Sequence, residues 1–365
     1  MVGVAPQEAE NGPAGGPQHL TTLDMGGGPT DPEVQEALPR AQRGPDGKFL
    51  NPLPTSVAGP GMLPRMIRRY ITEGRRGEPE HPLGPFRTDP AVLQTPAATG
   101  LRVTWLGHSS LLLEVDGIRI LTDPAWGERA SFVRFMGPRR FYPTPLPIAD
   151  LPPLDAVLLS HDHYDHLDQG TIEQIAGTGV AIVCSLGMRP ILERWGVPPA
   201  RITELSWGDS AQVGACTLTA TPARHFSGRS LWNRNETLWS SFVIRGPRHN
   251  IFFGADSGPF PGFQQIGRLF GPFDLTMLEI GAYDDDWPDI HMGPDRAAEA
   301  HLALGGRLLL PIHWGTFNLA FHPWREPVER LLGAARAQGI RLLLPRPGVP
   351  MDVTGDEHHS NWWKA

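Results

Sequence analysis

The run AVLLSHDHYDH, residues 156–166, constrains this chain more than any other segment. AVLL has the length and composition of a buried strand. It leads directly into His161, His163, Asp165 and His166. Ligand-type side chains packed this densely where a loop leaves a strand can turn toward a common centre. A histidine cluster in a tag or a solvated polar tract does not follow an apolar strand, so the run reads as a metal-binding loop. Imidazole and carboxylate together suit zinc, and also manganese or iron. His161 and His163 can serve one ion while Asp165 and His166 reach a second.

Three later segments repeat this grammar, each an apolar strand ending in one candidate ligand: CTLTATPARH at His225, IFFGAD at Asp256 and LLLPIH at His313. Alone, His225 or His313 reads as a hydrogen-bonded core histidine; as members of the set they read as ligands. The two oxygens of Asp256 can bridge both ions, with His225 completing the first site and His313 the second. Asp123, in LTDP, is either a carboxylate that orients a ligand histidine or a turn-former before Pro124. His108, in WLGHSS, is expected to hold local backbone.

Around these motifs the chain alternates short β-rich runs with helical patterns. LRVTWLGH, SLLLEV and IRILTDP form a β-meander, with Asp116-Gly117 as a hairpin signal. Helical spacing recurs at TIEQIAG, MRPILERWG, DRAAEAHLALGG and VERLLGAARAQG. Two halves that each run strands and then helix fit an α/β fold, a four-layer αββα sandwich spanning residues 46–355. Residues 1–45, rich in Gly and Pro without apolar periodicity, are expected as a mobile tail. Residues 46–99 form an extension packed on the domain, and 356–365, with His358 and His359, a polar C-terminal tail. Within the extension, MLPRMIRRYI reads as an amphipathic helix packed on the domain, with membrane contact as the alternative. Cys184 and Cys216 each sit in a strand-like run and read as buried thiols. A formal net charge of −7 argues against nucleic acid as a partner. No run approaches the ~20 apolar residues of a membrane span and the start lacks signal-peptide character, so a soluble, cytoplasmic protein is expected.

The motifs HDHYDH, TPARH, GADSG and IHWGTF resemble the metallo-β-lactamase superfamily. With FLNPLP, TWLGHSSLLLEVDGIRILTDP, FMGPRRF, GPFDL, EIGAY and HMGPDRAAEAH, they resemble within it the N-acylphosphatidylethanolamine-hydrolysing phospholipases D, from Lys48 to Phe321. The resemblance implies a metallo-β-lactamase sandwich holding two Zn2+, with Mn2+ or Fe2+ as alternatives, on His161, His163, Asp165, His166, His225, Asp256 and His313. It implies a hydrolase acting on a phospholipid or small-molecule phosphodiester. Asp165 would hold the attacking water and His291 would face the substrate phosphate; from the residues alone, His291 equally reads as a polar cap at a helix start. Trp232, Trp239, Phe226, Phe260 and Phe263 would line an acyl-chain groove or pack the core. A homodimer and peripheral membrane contact are further implications. The alternatives are a lactonase or other ester hydrolase on the same scaffold, and a non-catalytic metal-binding protein.

Overall fold

The Asp116-Gly117 turn sets the first sheet. Both residues take left-handed φ, 51° and 90°, as a two-residue hairpin turn requires. They pair β2 (Ser110–Val115) with β3 (Ile118–Thr122), Val115 opposite Ile118, and β1 (Leu101–Gly107) lies antiparallel on the other side of β2. Beyond β3 the sheet continues in parallel through β4 (Ala156–Leu159), β5 (Ala181–Ser185) and β6 (Ile202–Leu205). The second sheet holds β7 (Ser210–Val213), β8 (Cys216–Thr221), β9 (Ser241–Arg245), β10 (Asn250–Phe253), β11 (Leu275–Glu279) and β12 (Leu309–Ile312) in spatial sequence. Short β13 (Leu343–Leu344) pairs with β15 (His358–His359), while β14 (Pro350–Asp352) edges the first sheet beside β1.

This computed structural model describes residue 1 and residues 37–57, 61–73, 76–133, 135–230 and 232–364. Successive side chains of a strand face opposite ways, and both faces of β4 are covered. Ala156 and Leu158 join the core between the sheets, whereas Val157 and Leu159 pack with Ile172 and Ile175 of α2 (Gln169–Ala176) and Leu192 of α3 (Arg189–Arg194). Across the second sheet lie α4 (Gly262–Phe270), α5 (Gly293–Leu304) and α6 (Glu326–Gln338), which bury Phe263, Ala297 and Leu331 in the same core. The layers therefore run αββα, as expected. Helix α4 escapes the sequence pattern because it is short and carries two glycines; its Phe263, Ile266 and Phe270 nonetheless face inward.

Both ends of the chain depart from expectation. Residues 2–36 of the expected tail lie outside the described residues, but its last stretch, from Ala37, contacts the domain. Leu38 is buried in the main core, and Arg43 bridges to Phe49 and lies 3.7 Å over its ring. The segment 356–365 is not a free polar tail. Trp362 and Trp363 are buried, Trp362 stacking on Trp314 at 5.2 Å, because two large rings bring enough apolar area to draw the segment back to the core. Helix α1 (Met62–Glu73) forms as MLPRMIRRYI suggests and is tied to the domain by Arg65 to Asp286 and Arg69 to Asp284. Cys184 and Cys216 are free and buried, as expected.

Candidate metal centre

The ligand-type residues meet because each follows the carboxyl end of a strand, and those ends share one edge of the sandwich. His161 to His166 follow β4, His225 follows β8, Asp256 follows β10 and His313 follows β12. They fall in three overlapping groups whose ligand atoms lie within 4.8 Å of one another: His161, His163, His225 and Asp256; His108, Asp165, His166 and His313; and Asp256 and His313 with Glu279 and His291. In the first group Nε2 of His161 and of His225 stand 2.9 and 3.3 Å from Nδ1 of His163. Asp256 joins the two. Its Oδ2 is 3.6 Å from His225 Nε2 and 3.1 Å from His313 Nε2, and its Oδ1 is 3.2 Å from His166 Nε2. Asp165 Oδ2 lies 3.3 Å from His313 Nε2 and 3.5 Å from His166 Nε2.

Neighbouring groups determine which ring nitrogen each histidine presents. Asp123 is buried at the end of β3, and its Oδ2 accepts from His166 Nδ1 at 2.7 Å and from Ser160 Oγ at 2.6 Å. Having donated its only proton, the Ser160 hydroxyl must accept from His161 Nδ1, 2.9 Å away. One carboxylate thus orients a histidine in each of the first two groups and leaves both Nε2 atoms facing the centre. Both earlier readings of Asp123 hold, since it also turns the chain with φ +34°. His225 is fixed by its own Nδ1 donating to the Ile290 carbonyl, 2.9 Å.

The backbone around the centre is strained. Asp123, His108, His313 and Ala255, the neighbour of Asp256, all have positive φ, which costs a non-glycine residue about 1–3 kcal/mol. The close approach extends to EIGAY, where a Cβ on Gly281 would overlap the His313 carbonyl oxygen.

Electrostatics divide the first two groups. Burial, then neighbouring histidine charge, holds His161 well below the ordinary imidazole range. Burial also lowers His163 and His225, against the pull of nearby carboxylates. Burial opposes protonation of His166 and His313 too, but Asp256 and Asp165 outweigh it; His166 is raised well above its usual value and His313 to about 10. Against burial, the same histidines hold Asp165 and Asp256 well below the carboxylate range. His166 Nε2, His313 Nε2 and Asp256 Oδ1 are buried without a hydrogen-bond partner. Such orphaned atoms, converging with histidine and carboxylate donors, fit divalent cations.

His108 does hold local backbone, since its carbonyl accepts from His313 N and Trp105 Nε1 and its amide donates to Thr316 Oγ1. Its ring was missed as part of the site: Nε2 donates to Asp165 Oδ2 at 2.8 Å, with burial first among the causes lowering its pKa to about 3. Glu279 was missed altogether, although β11 ends in it as other apolar strands end in ligands. His291 Nδ1 is 2.6 Å from Glu279 Oε2, and its ring lies 5.1 Å from that of His225 and 5.3 Å from that of His313. Asn51 of FLNPLP brackets the His225 backbone, accepting from its N at 3.0 Å and donating to its O at 2.6 Å. Of the aromatic candidates, Trp239 and Phe263 are core, Phe260 packs against the core, and Trp232 is exposed. Only Phe226 contacts the centre, its ring 4.4 Å from that of His163.

Comparison with known proteins fits this geometry. Residues 118–314, more than half of the chain, match the β-lactamase superfamily domain. The chain belongs to the metallo-β-lactamase superfamily. It is a metal-dependent hydrolase of that superfamily. A Mycobacterium tuberculosis protein of uncharacterized function is 46% identical over 87% of this chain and 86% of its own length. N-acyl-phosphatidylethanolamine-hydrolyzing phospholipase D 1 of Caenorhabditis elegans is 38% identical over 64% of this chain and 69% of its own. The fold recurs in the metallo hydrolase Igni18 of Ignicoccus hospitalis, at 22% identity and TM-score 0.54 over 69% of this chain and 97% of that one. An isothiocyanate hydrolase from Delia radicum gut bacteria gives TM-score 0.55 at 20% identity over 68% of this chain and 98% of that one. No helix among the described residues is long and apolar enough to cross a membrane.

Proposed function

We propose that the chain is a dinuclear phosphodiesterase of phospholipase D type that hydrolyses lipids of the N-acylphosphatidylethanolamine kind. The observation that carries this reading is the 38% identity over 246 residues to the nematode phospholipase, joined to a centre with two groups of ligand donors. His161, His163 and His225 would hold one Zn2+ and Asp165, His166 and His313 the other, with Asp256 shared. Bound divalent cations supply a water of lowered pKa and offset charge on the phosphoryl oxygens. Asp165 is anchored through Oδ2 by His108, which leaves Oδ1 to orient the attacking water. The ring of His291 stands beside the centre with Nδ1 held by Glu279; among the described residues Nε2 forms no hydrogen bond to protein, and with the ring doubly protonated its Nε2–H can donate to a phosphate oxygen. Water adds to phosphorus and gives up a proton, the bond from phosphorus to the ethanolamine oxygen breaks, that oxygen takes up a proton, and N-acylethanolamine and phosphatidate leave.

A cleft of about 880 Å³ opens beside Tyr164, which sits between ligands His163 and Asp165. Its walls combine Phe132, Val133 and Trp195 with Arg129, Arg194 and Arg229 and with Glu128, Asp168 and Glu173, a mixed apolar and charged lining that an amphiphile can occupy. Phe132, Phe135, Met136 and Trp232 stand exposed on the flanking loops. They suit contact with a lipid surface better than α1, where Arg65 and Arg69 already pair with acids.

The test is hydrolysis of N-palmitoylphosphatidylethanolamine in detergent micelles by zinc-loaded protein, with Asp165→Asn as control and metal content measured on both. Release of N-palmitoylethanolamine by wild type alone is the expected result. No release with two metals bound would overturn the substrate assignment and redirect the search to lactones and soluble phosphodiesters.

A further inference from the structure

Glu279 ends β11, the strand between β10 and β12, and is wholly buried. A carboxylate costs several kcal/mol to bury unless every lone pair finds a donor, and here the donors come from two separate segments. Oε1 accepts from Ser257 N at 2.9 Å and from Met292 N at 3.3 Å, while Oε2 lies 2.6 Å from His291 Nδ1. Ser257 follows the shared ligand Asp256, and Met292 follows His291 and precedes α5. Glu279 thus joins the loop carrying Asp256 to the segment carrying His291. No Lys or Arg pairs with it among the described residues. The groups around it are Asp256, His291 and His313.

We propose that Glu279 is a positioning residue for His291: its carboxylate holds Nδ1 and so presents Nε2, rather than Nδ1, to whatever binds beside the two metal groups. A purely structural carboxylate could cap Ser257 and Met292 with one oxygen and leave the other to solvent; here the second oxygen is buried and spent on the imidazole. Glutamine cannot replace it. An amide has one acceptor oxygen, so if that oxygen keeps the two backbone N–H groups, the NH2 can only donate to Nδ1, which forces the ring into the opposite tautomer. The inference rests on the phosphodiesterase reading only for what Nε2 touches, and not for the pinning of the ring.

Two measurements test it. The first is long-range 1H–15N histidine NMR on the wild-type metal-loaded protein. His291 should show a single ring state with its Nδ1 proton protected from exchange, and a ring protonated only at Nε2, or averaging between tautomers, overturns the proposal. The second is a double-mutant cycle with Glu279→Gln and His291→Ala, with melting temperature and metal content measured on each protein. Glu279→Gln should lower kcat about 10- to 100-fold with metal content retained, and should cost less than about twofold once His291 is already alanine. Equal losses in both backgrounds would show that Glu279 acts on the fold and not through His291. If wild type fails to hydrolyse the lipid, the substrate reading falls while the NMR result still decides whether Glu279 sets the ring.

Discussion

The two halves of the candidate metal centre are built from the same residue types, but their surroundings push the histidines in opposite directions. In the His161, His163 and His225 half, burial keeps the rings neutral, and Ser160 and the Ile290 carbonyl take their outward protons. In the other half, carboxylates outweigh burial and favour the protonated forms of His166 and His313. The difference follows from position. Asp165 contacts both His166 and His313, whereas the first half shares only Asp256. The first half is therefore ready for a cation at lower pH, and the second must release protons to accept one.

The largest effect should come from Asp256, the one carboxylate common to both halves. Asp256→Asn should reduce bound metal below the proposed two per chain and lower activity by more than the roughly 100-fold typical of outer partners; full metal content by elemental analysis would show that the halves are independent. Next comes Asp123, which supports one histidine of each half through Ser160 and directly. Asp123→Asn should weaken both cations about 10- to 100-fold in chelator competition, and loss confined to the His166 half would mean that the Ser160 relay is unimportant. A third effect concerns pH. His313 is raised from 6.5 to about 10 in the metal-free fold, so its contribution to stability is full below pH 6.5 and is lost as pH rises through about 10. The melting temperature of metal-free protein should fall across that window while affinity for the second cation rises by about tenfold per pH unit for each proton displaced. A flat profile would remove the asymmetry.

Much of this centre is legible in the chain. AVLLSHDHYDH, TPARH, GAD and PIH pair a strand pattern with its terminal ligand, and the geometry of a strand end follows from a few neighbouring residues. The Asp116-Gly117 hairpin is equally local. His108 shows the limit: in the sequence it is one histidine in a turn, and its ring becomes informative only because Asp165, 57 positions away, arrives beside it. Glu279 resembles any polar residue closing an apolar strand until Ser257 and His291 surround it. Trp362 and Trp363 look like the end of a polar tail until the Trp105 and Trp314 rings are in place.

The sequence by itself determined the candidate ligands, the two-sheet architecture and the meander, because strand periodicity, turn chemistry and donor type are properties of short segments. Tertiary structure alone decided which nitrogen each histidine presents, which half keeps its protons, and that Asn51, His108, Asp123 and Glu279 support the centre. Those outcomes depend on burial and on hydrogen bonds between positions as far as 208 residues apart, and no local pattern encodes a partner at that distance.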